Sequence, residues 1–448
     1  MTEKEIIDYV KNHPSGKVKI ALTDIDGILR GKYISVDKFL SAYNSNIGFC
    51  EVVFGWDSSD TSYTNSTYSG WHTGYPDNKG KIVLSTFRKI PYEGDMPFFL
   101  CELIGEPAYV CPRTVLKNIT DQAHQMGFSP FFSQEFEWSN FRETPKSVHE
   151  KNFKSLEHLS PGMFGYSILR TSLNNDFFSD LFELLNRFDI PIEGLHTETG
   201  PGVIEAAITY SDLMEAGDRA VLFKTSVKEI AYKHGIMATF MAKWSENLPG
   251  NGGHIHQSLW DSNCKNNLFF DKNDKQKMSS IFKQYIAGQL YCLPHILPLI
   301  APTVNSFKRL VPGAWAPTTI TWGIDNRTVA LRALPGESKS SRLETRVVGS
   351  DVNPYLAMAA CLAAGLYGIK HKLKLQKETT GNGYLDYKNG VLPGNLDQAT
   401  QIMKDSKIAH ELFGKQFVEH YTQTREWEWK QYIKVVTDWE IKRYFEII

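Results

Sequence analysis

What the chain lacks narrows its chemistry first. It has no G-x-x-x-x-G-K-[ST] phosphate loop, no G-x-G-x-x-G dinucleotide fingerprint and no G-x-S-x-G nucleophile elbow. P-loop ATPases, Rossmann dehydrogenases and α/β-hydrolases are excluded as templates. The cysteines, Cys50, Cys101, Cys111, Cys264, Cys292 and Cys361, form no C-x-x-C pair. Zinc ribbons and thioredoxin-like redox chemistry need that pairing; scattered cysteines predict free thiols in a reducing cytosol. An excess of one charge is also missing, since 49 Lys+Arg face 50 Asp+Glu. Nucleic-acid and membrane-surface binders carry a basic excess, so neither partner is expected. The longest apolar run, Pro354–Ile369, falls short of the ~20 residues that span a bilayer. It predicts a buried helix instead. The opening MTEKEIIDYVKNHPSGK has no apolar h-region, so no secretory leader is expected and the location read is cytoplasmic. No internal repeat or low-complexity tract occurs.

What is present is an ordinary globular composition, 42% hydrophobic and 22% charged, which excludes wholesale disorder. A chain of 448 residues is too long for one simple core and favours two or three domains. Residues 3–12 predict a helix, and 17–24 and 28–35 predict strands around an Asp26-Gly27 turn. Residues 54–77, rich in Ser, Thr, Tyr and Gly, suit a loop over a site. Strands at 81–86 and 97–104 precede Gly105-Glu106-Pro107, a plausible boundary between a small α+β domain, 1–105, and a large one, 106–448. Beyond it, helices are expected at 112–127, 174–188, 211–234, 275–293, 352–373, 394–405 and 407–443. Strands are expected at 130–138, 192–198, 203–209, 236–243, 254–260, 318–324, 328–333 and 342–348. Their alternate polar residues suit an antiparallel sheet with one wet, functional face.

Four segments carry chemistry. In FFSQEFEW, Glu135 and Glu137 stand at i and i+2 and share a strand face. A lone E-x-E is usually a solvated edge. In LHTETGPGVIE, Glu198 and Glu205 flank a Gly-Pro-Gly turn and could converge from neighbouring strands, or merely end a charged hairpin. In PGNGGHIHQS, a glycine-rich loop lets backbone amides approach an anion and runs into His254 and His256 on one face. The fourth segment is basic: Lys308-Arg309, Asn326-Arg327, Arg332, then Arg342-x-Glu344-x-Arg346. An ion-paired ladder would explain the last triplet; arginine forks also suit phosphate and carboxylate oxygens. Together these residues suggest hard divalent cations on carboxylates and arginines on a transferring phosphoryl group. The expectation is an ATP-dependent ligase or phosphotransferase without a P-loop.

These motifs, in this order and across nearly the whole chain, resemble the glutamine synthetase family. FFSQEFEW resembles its E-x-E-F strand, and GLHTETGPGVIEAAI its H-x-E-x-G-P-G-Q-x-E segment. PGNGGHIHQSLW resembles its G-x-G-x-H-x-H-x-S loop. NSFKRLVPGAWAP, DNRT and SRLETRVVGSDVNPYLAMAA resemble its later segments. The resemblance implies an α+β fold, with a small N-terminal β-grasp domain and a large catalytic domain whose curved antiparallel sheet is flanked by helices. It implies ATP and two Mg²⁺ or Mn²⁺ ions per site. Glu137, Glu198 and Glu205 match the ligands of one ion, and Glu135, His254 and Glu344 those of the other. Glu193, His256 and Ser258 match nucleotide contacts. Arg309, Arg346 and the Gly250 loop match the binding site for glutamate's carboxylates. Arg327 matches the arginine on the transferred phosphoryl, with Arg332 and Arg342 on nearby phosphates. It also implies a homo-oligomer of stacked rings with sites between subunits, so that residues 54–77 would face a neighbour's site.

Departures from the family pattern gather where the nucleophile binds. Trp315 stands where the family usually has the glutamate that closes over the intermediate and receives ammonium's protons; an indole cannot accept one. Val203 replaces a glutamine, and Ala242 and Trp244 replace two prolines. Asp57 lies near the family's ammonium-binding aspartate. Metal, phosphate and glutamate positions are all retained. A tryptophan-lined pocket suits an amine with an apolar or cationic chain. The expectation is a γ-glutamyl–amine ligase, with Asp57 or Glu198 as candidate base. Ammonia-using glutamine synthetase is the alternative. A non-catalytic scaffold or a glutamate or glutamine sensor would not need the intact arginine set.

Overall fold

A computed structural model describes residues 1–448. Six strands form the smaller sheet: β1 (Lys17–Thr23), β2 (Leu29–Ser35), β3 (Ile47–Cys50), β4 (Asp77–Ile82), β5 (Arg88–Ile90) and β6 (Met96–Leu103). They run in the order β2-β1-β6-β4-β3, with β5 on β6, and only β1 and β6 pair in parallel. A cluster of 17 buried hydrophobics, including Val10, Phe39, Phe54 and Phe99, closes one face of this sheet.

Nine strands form the larger sheet. They are β7 (Phe128–Phe141), β8 (Ile192–Thr197), β9 (Val203–Ile208), β10 (Ser211–Asp212), β11 (Met237–Thr239), β12 (Ile255–Asp261), β13 (Trp322–Ile324), β14 (Leu331–Leu334) and β15 (Arg342–Thr345). The order is β13-β14-β15-β12-β7-β9-β8, with β10 and β11 also on β7, and every pair but β13–β14 is antiparallel. The architecture is α+β. The helices Pro112–Gln125, Leu213–Lys233, Ser280–Ile300 and Pro354–Lys370 contribute to the larger core. The 354–370 helix is almost wholly buried, as its unbroken apolar composition requires. No helix is long and apolar enough to cross a membrane.

A buried polar network joins helix to sheet directly behind the site. Tyr285 Oη and Gln289 Nε2 donate to Gln257 Oε1 at 2.7 and 2.6 Å, and Thr345 Oγ1 donates to Gln289 Oε1 at 2.8 Å. It anchors β12 and β15, and their opposite side chains, His256 and Glu344, face the cleft.

Several element boundaries differ from the sequence expectation. The helix expected to stop at 293 runs from Ser280 to Ile300 through Pro294 and Pro298. Its buried apolar surface offsets the lost backbone bonds. The helix expected over 407–443 is three, Lys407–Phe413, Lys415–Tyr432 and Asp438–Tyr444. The strand expected at 81–86 lies at 77–82 and ends in a 3₁₀ turn, and that at 236–243 shrinks to three residues. Unforeseen helices occur at Val36–Tyr43, where Ser35 accepts from the Lys38 amide as N-cap, at Pro145–Glu150 and at Ile168–Leu173.

Candidate active site

The register of the larger sheet gathers the carboxylates. Glu137 lies opposite Glu205 across β7 and β9, and His196 lies opposite Glu205 across β8 and β9. His256 lies opposite Glu344 across β12 and β15, and Arg332 opposite Glu344 across β14 and β15. Alternation does the rest: residues two apart on β7 and β12 project together.

Two sets of ligand atoms, each lying within 4.8 Å of one another, result: Glu135, His254 and Glu344, and His196, Glu198 and Glu205. In the first, His254 Nδ1 is 3.0 Å from Glu135 and 3.4 Å from Glu344. In the second, His196 Nε2 is 3.2 Å from Glu205 and its Nδ1 is 3.8 Å from Glu198. The second set has His196 in the place expected for Glu137, which lies opposite Glu205 and whose Oε2 accepts from the Gly252 amide at 2.6 Å. Like charges on adjacent strands repel, so Glu137 takes a backbone donor and Glu205 takes His196.

Electrostatics separate the two sets. Burial tends to raise Glu344, but Arg346 and the two histidines outweigh it and hold it at about 2. Burial likewise opposes ionisation of Glu135, yet His256 and His254 keep it well below the usual carboxylate range. Burial, with Glu135 and Glu137 nearby, pushes Glu205 up to about 7 despite its bond to His196. Glu137 is also raised, chiefly by burial. Closely set oxygens with one histidine per set, short of positive charge on the β9 side, are the donor chemistry of a hard divalent cation.

The arginines divide into committed and free. Glu344 is ion-paired with Arg346 at 2.5 Å and Arg332 at 2.8 Å, and Arg332 also holds Asp325. The ladder reading of R-x-E-x-R therefore describes part of the site. Arg309 is buried and donates to the Val347 and Arg346 carbonyls at 3.0 and 3.2 Å; burial lowers its pKa. The glycine loop packs on it. A Cβ at Gly250 would meet the Ala242 carbonyl at 2.5 Å, and one at Gly252 would meet His254 Nε2 at 2.7 Å. Glycine is required here for close packing of the loop on protein groups. Arg327 is exposed and makes no ion pair; its carbonyl accepts from Arg346 Nε at 3.1 Å. Arg342, also exposed, reaches His256 Nδ1 at 3.3 Å.

Beside these groups lies a cavity of about 310 Å³ lined by Glu135, Glu193, His256, Ser258 and Arg342, with Phe131, Tyr210 and Trp260 on its walls. Phe131 packs against Tyr210 and Trp260, with ring centroids at 6.2 and 5.7 Å. The expected nucleotide contacts are thus brought together in one aromatic-walled cleft.

Trp315 lies in the loop between the short helix Ser306–Arg309 and β13, 62% exposed, with φ +58°. Asp57 is elsewhere in the chain. It accepts from the Ser59 and Thr61 amides and from Trp427 Nε1 at 2.9 Å, and touches neither carboxylate set. Sequence reasoning passed over Tyr166, whose ring stacks on His196 at a 4.2 Å centroid distance and which feels Glu205, Glu198 and Arg327. Its only signal was its place in a glycine-flanked aromatic stretch, 162–166. His196 lay inside a motif singled out for its glutamates.

Comparison with known proteins supplies the class. Residues 109–444 match the model of the glutamine synthetase catalytic domain. The chain is 53% identical to type-1 glutamine synthetase 2 of Dictyostelium discoideum, over all of this chain and 87% of that protein. It is 34% identical to a glutamate–isopropylamine ligase of a Pseudomonas species, over 99% of this chain and 98% of that one. It also superimposes on a solved GmaS/ADP complex with TM-score 0.86 over the full length of both chains, at 24% identity. The chain belongs to the glutamine synthetase family of ATP-dependent ligases.

Proposed function

We propose that the protein joins glutamate to an amine larger than ammonia, forming a γ-glutamyl amide by way of γ-glutamyl phosphate. The supporting observation is Trp315, an exposed indole in a left-handed turn on the loop that follows Arg309. Its ring offers apolar and cation–π contact to an alkyl or cationic amine and no acceptor for ammonium.

In this reading Arg309 and Arg346 hold the glutamate carboxylates, with the Gly250 loop fixing Arg309 in place. Glu193, His256 and Ser258 line the nucleotide cleft, and Arg332 and Arg342 face its phosphates. Arg327, free of carboxylate partners, stabilises charge on the transferring phosphoryl group. Two Mg²⁺ or Mn²⁺ ions would be held by Glu135, His254 and Glu344 and by Glu137, Glu198 and Glu205, with His196 beside the latter. The ions would supply Lewis-acid charge to the phosphate oxygens. Asp57 would serve the site of a neighbouring subunit, in a homo-oligomer of stacked rings. The six free cysteines suit a reducing cytosol as the setting.

Use of ammonia is the second reading, and the 53% identity to a protein named glutamine synthetase favours it. Phosphate release with glutamate, ATP, Mg²⁺ and a panel of amines including ammonia separates the two. Saturable turnover with an alkylamine or diamine, and poor use of ammonia, is expected. Efficient ammonia use at modest concentration selects the second reading, and no amine-dependent turnover removes both. Trp315→Glu should shift preference toward ammonia; an unchanged amine profile would show that Trp315 does not line the nucleophile pocket.

A further inference from the structure

Arg309 is carried by a helix too short to fix its own direction. Ser306–Arg309 is four residues long, barely more than one turn, and a single turn keeps its place only through contacts outside itself. On one side Asn305, just before it, brackets Lys243. Its Oδ1 accepts from the Lys243 amide at 2.8 Å, and its Nδ2 donates to the Lys243 carbonyl at 2.6 Å. On the other side stands Asp351, whose Oδ2 accepts from Ser306 Oγ at 2.6 Å and from Thr303 Oγ1 at 2.8 Å. The two hydroxyl residues are also locked together, each backbone amide donating to the other's hydroxyl oxygen at 3.0 Å. Oδ1 of Asp351 has no hydrogen-bond partner, so these two hydroxyls are all that the carboxylate serves.

The segment that carries Asp351 also grips the far end of the arginine. Arg309 donates from Nη1 to the Val347 carbonyl and from Nη2 to the Arg346 carbonyl, and Nη2 lies 3.4 Å from His254 Nε2. The segment is fastened in turn, since the Val348 carbonyl accepts from the Gly253 amide at 3.0 Å and Ser350 Oγ donates to the Glu137 carbonyl at 2.6 Å. Backbone, helix and side chain therefore close a ring, from Val347 through Arg309 to Ser306 and back by Asp351. The ring fixes where the guanidinium points and does so with neutral acceptors at the guanidinium itself. Its one carboxylate sits at the opposite end of the helix. Arg332 and Arg346, by contrast, are paired with Glu344. A carboxylate set directly on Arg309 would compete with an anionic ligand; one that holds its helix does not.

We propose that Asp351 is a positioning residue for glutamate binding: through Ser306 and Thr303 it sets the helix that aims Arg309 at a substrate carboxylate. This rests on the reading of Arg309 under Proposed function. The aim of Arg309 is the same before and during phosphoryl transfer, so Asp351 acts on glutamate affinity and not on the chemical step.

Asp351→Ala and Ser306→Ala both open the ring, and misplacing a substrate-holding group by about 1 Å can cost roughly a hundredfold. The glutamate KM should rise by about ten- to hundredfold in both, with kcat at saturating glutamate and the KM values for ATP and amine unchanged. Ser306→Ala removes a single oxygen and gives the result if Asp351→Ala does not fold. Asp351→Asn keeps an oxygen that accepts from both hydroxyls and should bring the glutamate KM back near the wild-type value. Lys224→Met is the control for a merely structural contact. Lys224 Nζ donates to the Val352 carbonyl at 2.8 Å, next to Asp351 but outside the ring, so its loss should lower the melting temperature without moving the glutamate KM. An unchanged glutamate KM in Ser306→Ala and Asp351→Ala overturns the proposal. A rise in Lys224→Met as large as in Asp351→Ala also overturns it, as general loosening, and so does an Asp351→Asn variant as impaired as Asp351→Ala, as an effect of charge. Calorimetric titration with glutamate, in the presence of Mg²⁺ and ADP, separates the two readings. An Arg309→Ala variant that binds glutamate like wild type overturns the reading of Arg309; one that loses glutamate while the Asp351 and Ser306 variants keep it overturns this inference alone.

Discussion

Arg327 and Glu344 show how differently two charged residues of one site are held. Arg327 is exposed and without an ion pair, so its loss disturbs no packing. Arg327→Ala should lower turnover by at least about a thousandfold, as expected for an arginine on a transferring phosphoryl group. Its thermal melting should match the wild type, and retained activity would contradict the assigned role. Glu344 is fully buried between Arg332 and Arg346. Glu344→Gln leaves two guanidiniums without their carboxylate, and breaking a buried pair costs about 3–5 kcal/mol. Loss of activity should therefore come with a large drop in denaturant midpoint; a variant as stable as wild type would show that the network is not structural. Both residues were readable from the chain, Glu344 by its spacing with Arg342 and Arg346 on a strand and Arg327 by the resemblance of its Asn-Arg-Thr segment. Their different states were not, because pairing depends on β14 lying next to β15.

The helices behind the sheet determine how firmly that register is held. Ser280–Ile300 and Pro354–Lys370 approach so closely that a Cβ at Gly288 would meet the Ala364 carbonyl at 2.3 Å and the Gly368 nitrogen at 2.5 Å. Gly288→Val should destabilise the fold by about 1–3 kcal/mol through overpacking. It should also lower activity, since Gln289, the next residue, braces Gln257 and Thr345. Circular-dichroism melting and the phosphate-release assay measure the two effects, and an unperturbed melt would show that the helices can separate without cost. The existence of the Pro354–Lys370 helix was legible from an apolar run too long for a strand. Helix ends were not: Pro294 reads locally as a stop, and only the burial of the last turn explains why the helix continues.

At the level of the whole molecule, the two sheets are joined by a shared apolar core, which includes Ala21, Phe98 and Leu100 with Phe132 and Phe136, and by polar contacts. Arg425, on the Lys415–Tyr432 helix, reaches Asp26 at 2.5 Å, and the Asn353 side chain donates to the carbonyls of Asp24 and Ile25 at 3.0 and 3.2 Å. Asp57 is held against the same helix through Trp427, away from the carboxylates of its own chain. The segment 433–448 leaves Val436, Trp439, Phe445, Ile447 and Ile448 exposed. Such an apolar surface is out of place on an isolated subunit and supports the proposed homo-oligomer. Deleting residues 434–448 should reduce the assembled mass measured by light scattering while leaving the subunit folded. An unchanged mass would place the contacts elsewhere.

The net charge of −1 illustrates the division between chain and fold. Sequence by itself determined the residue types, the strand faces of Glu135, Glu137, His254 and His256, and the family, because these depend on local spacing and motif order. Tertiary structure decided that Glu137 turns to the Gly252 amide while His196 joins Glu205. It decided that Arg332 and Arg346 share Glu344 while Arg327 stays free. Each of those outcomes is a choice between partners brought together from strands and loops far apart in sequence. Charges that cancel in the total form opposed fields in one cleft only once the sheet has set their distances.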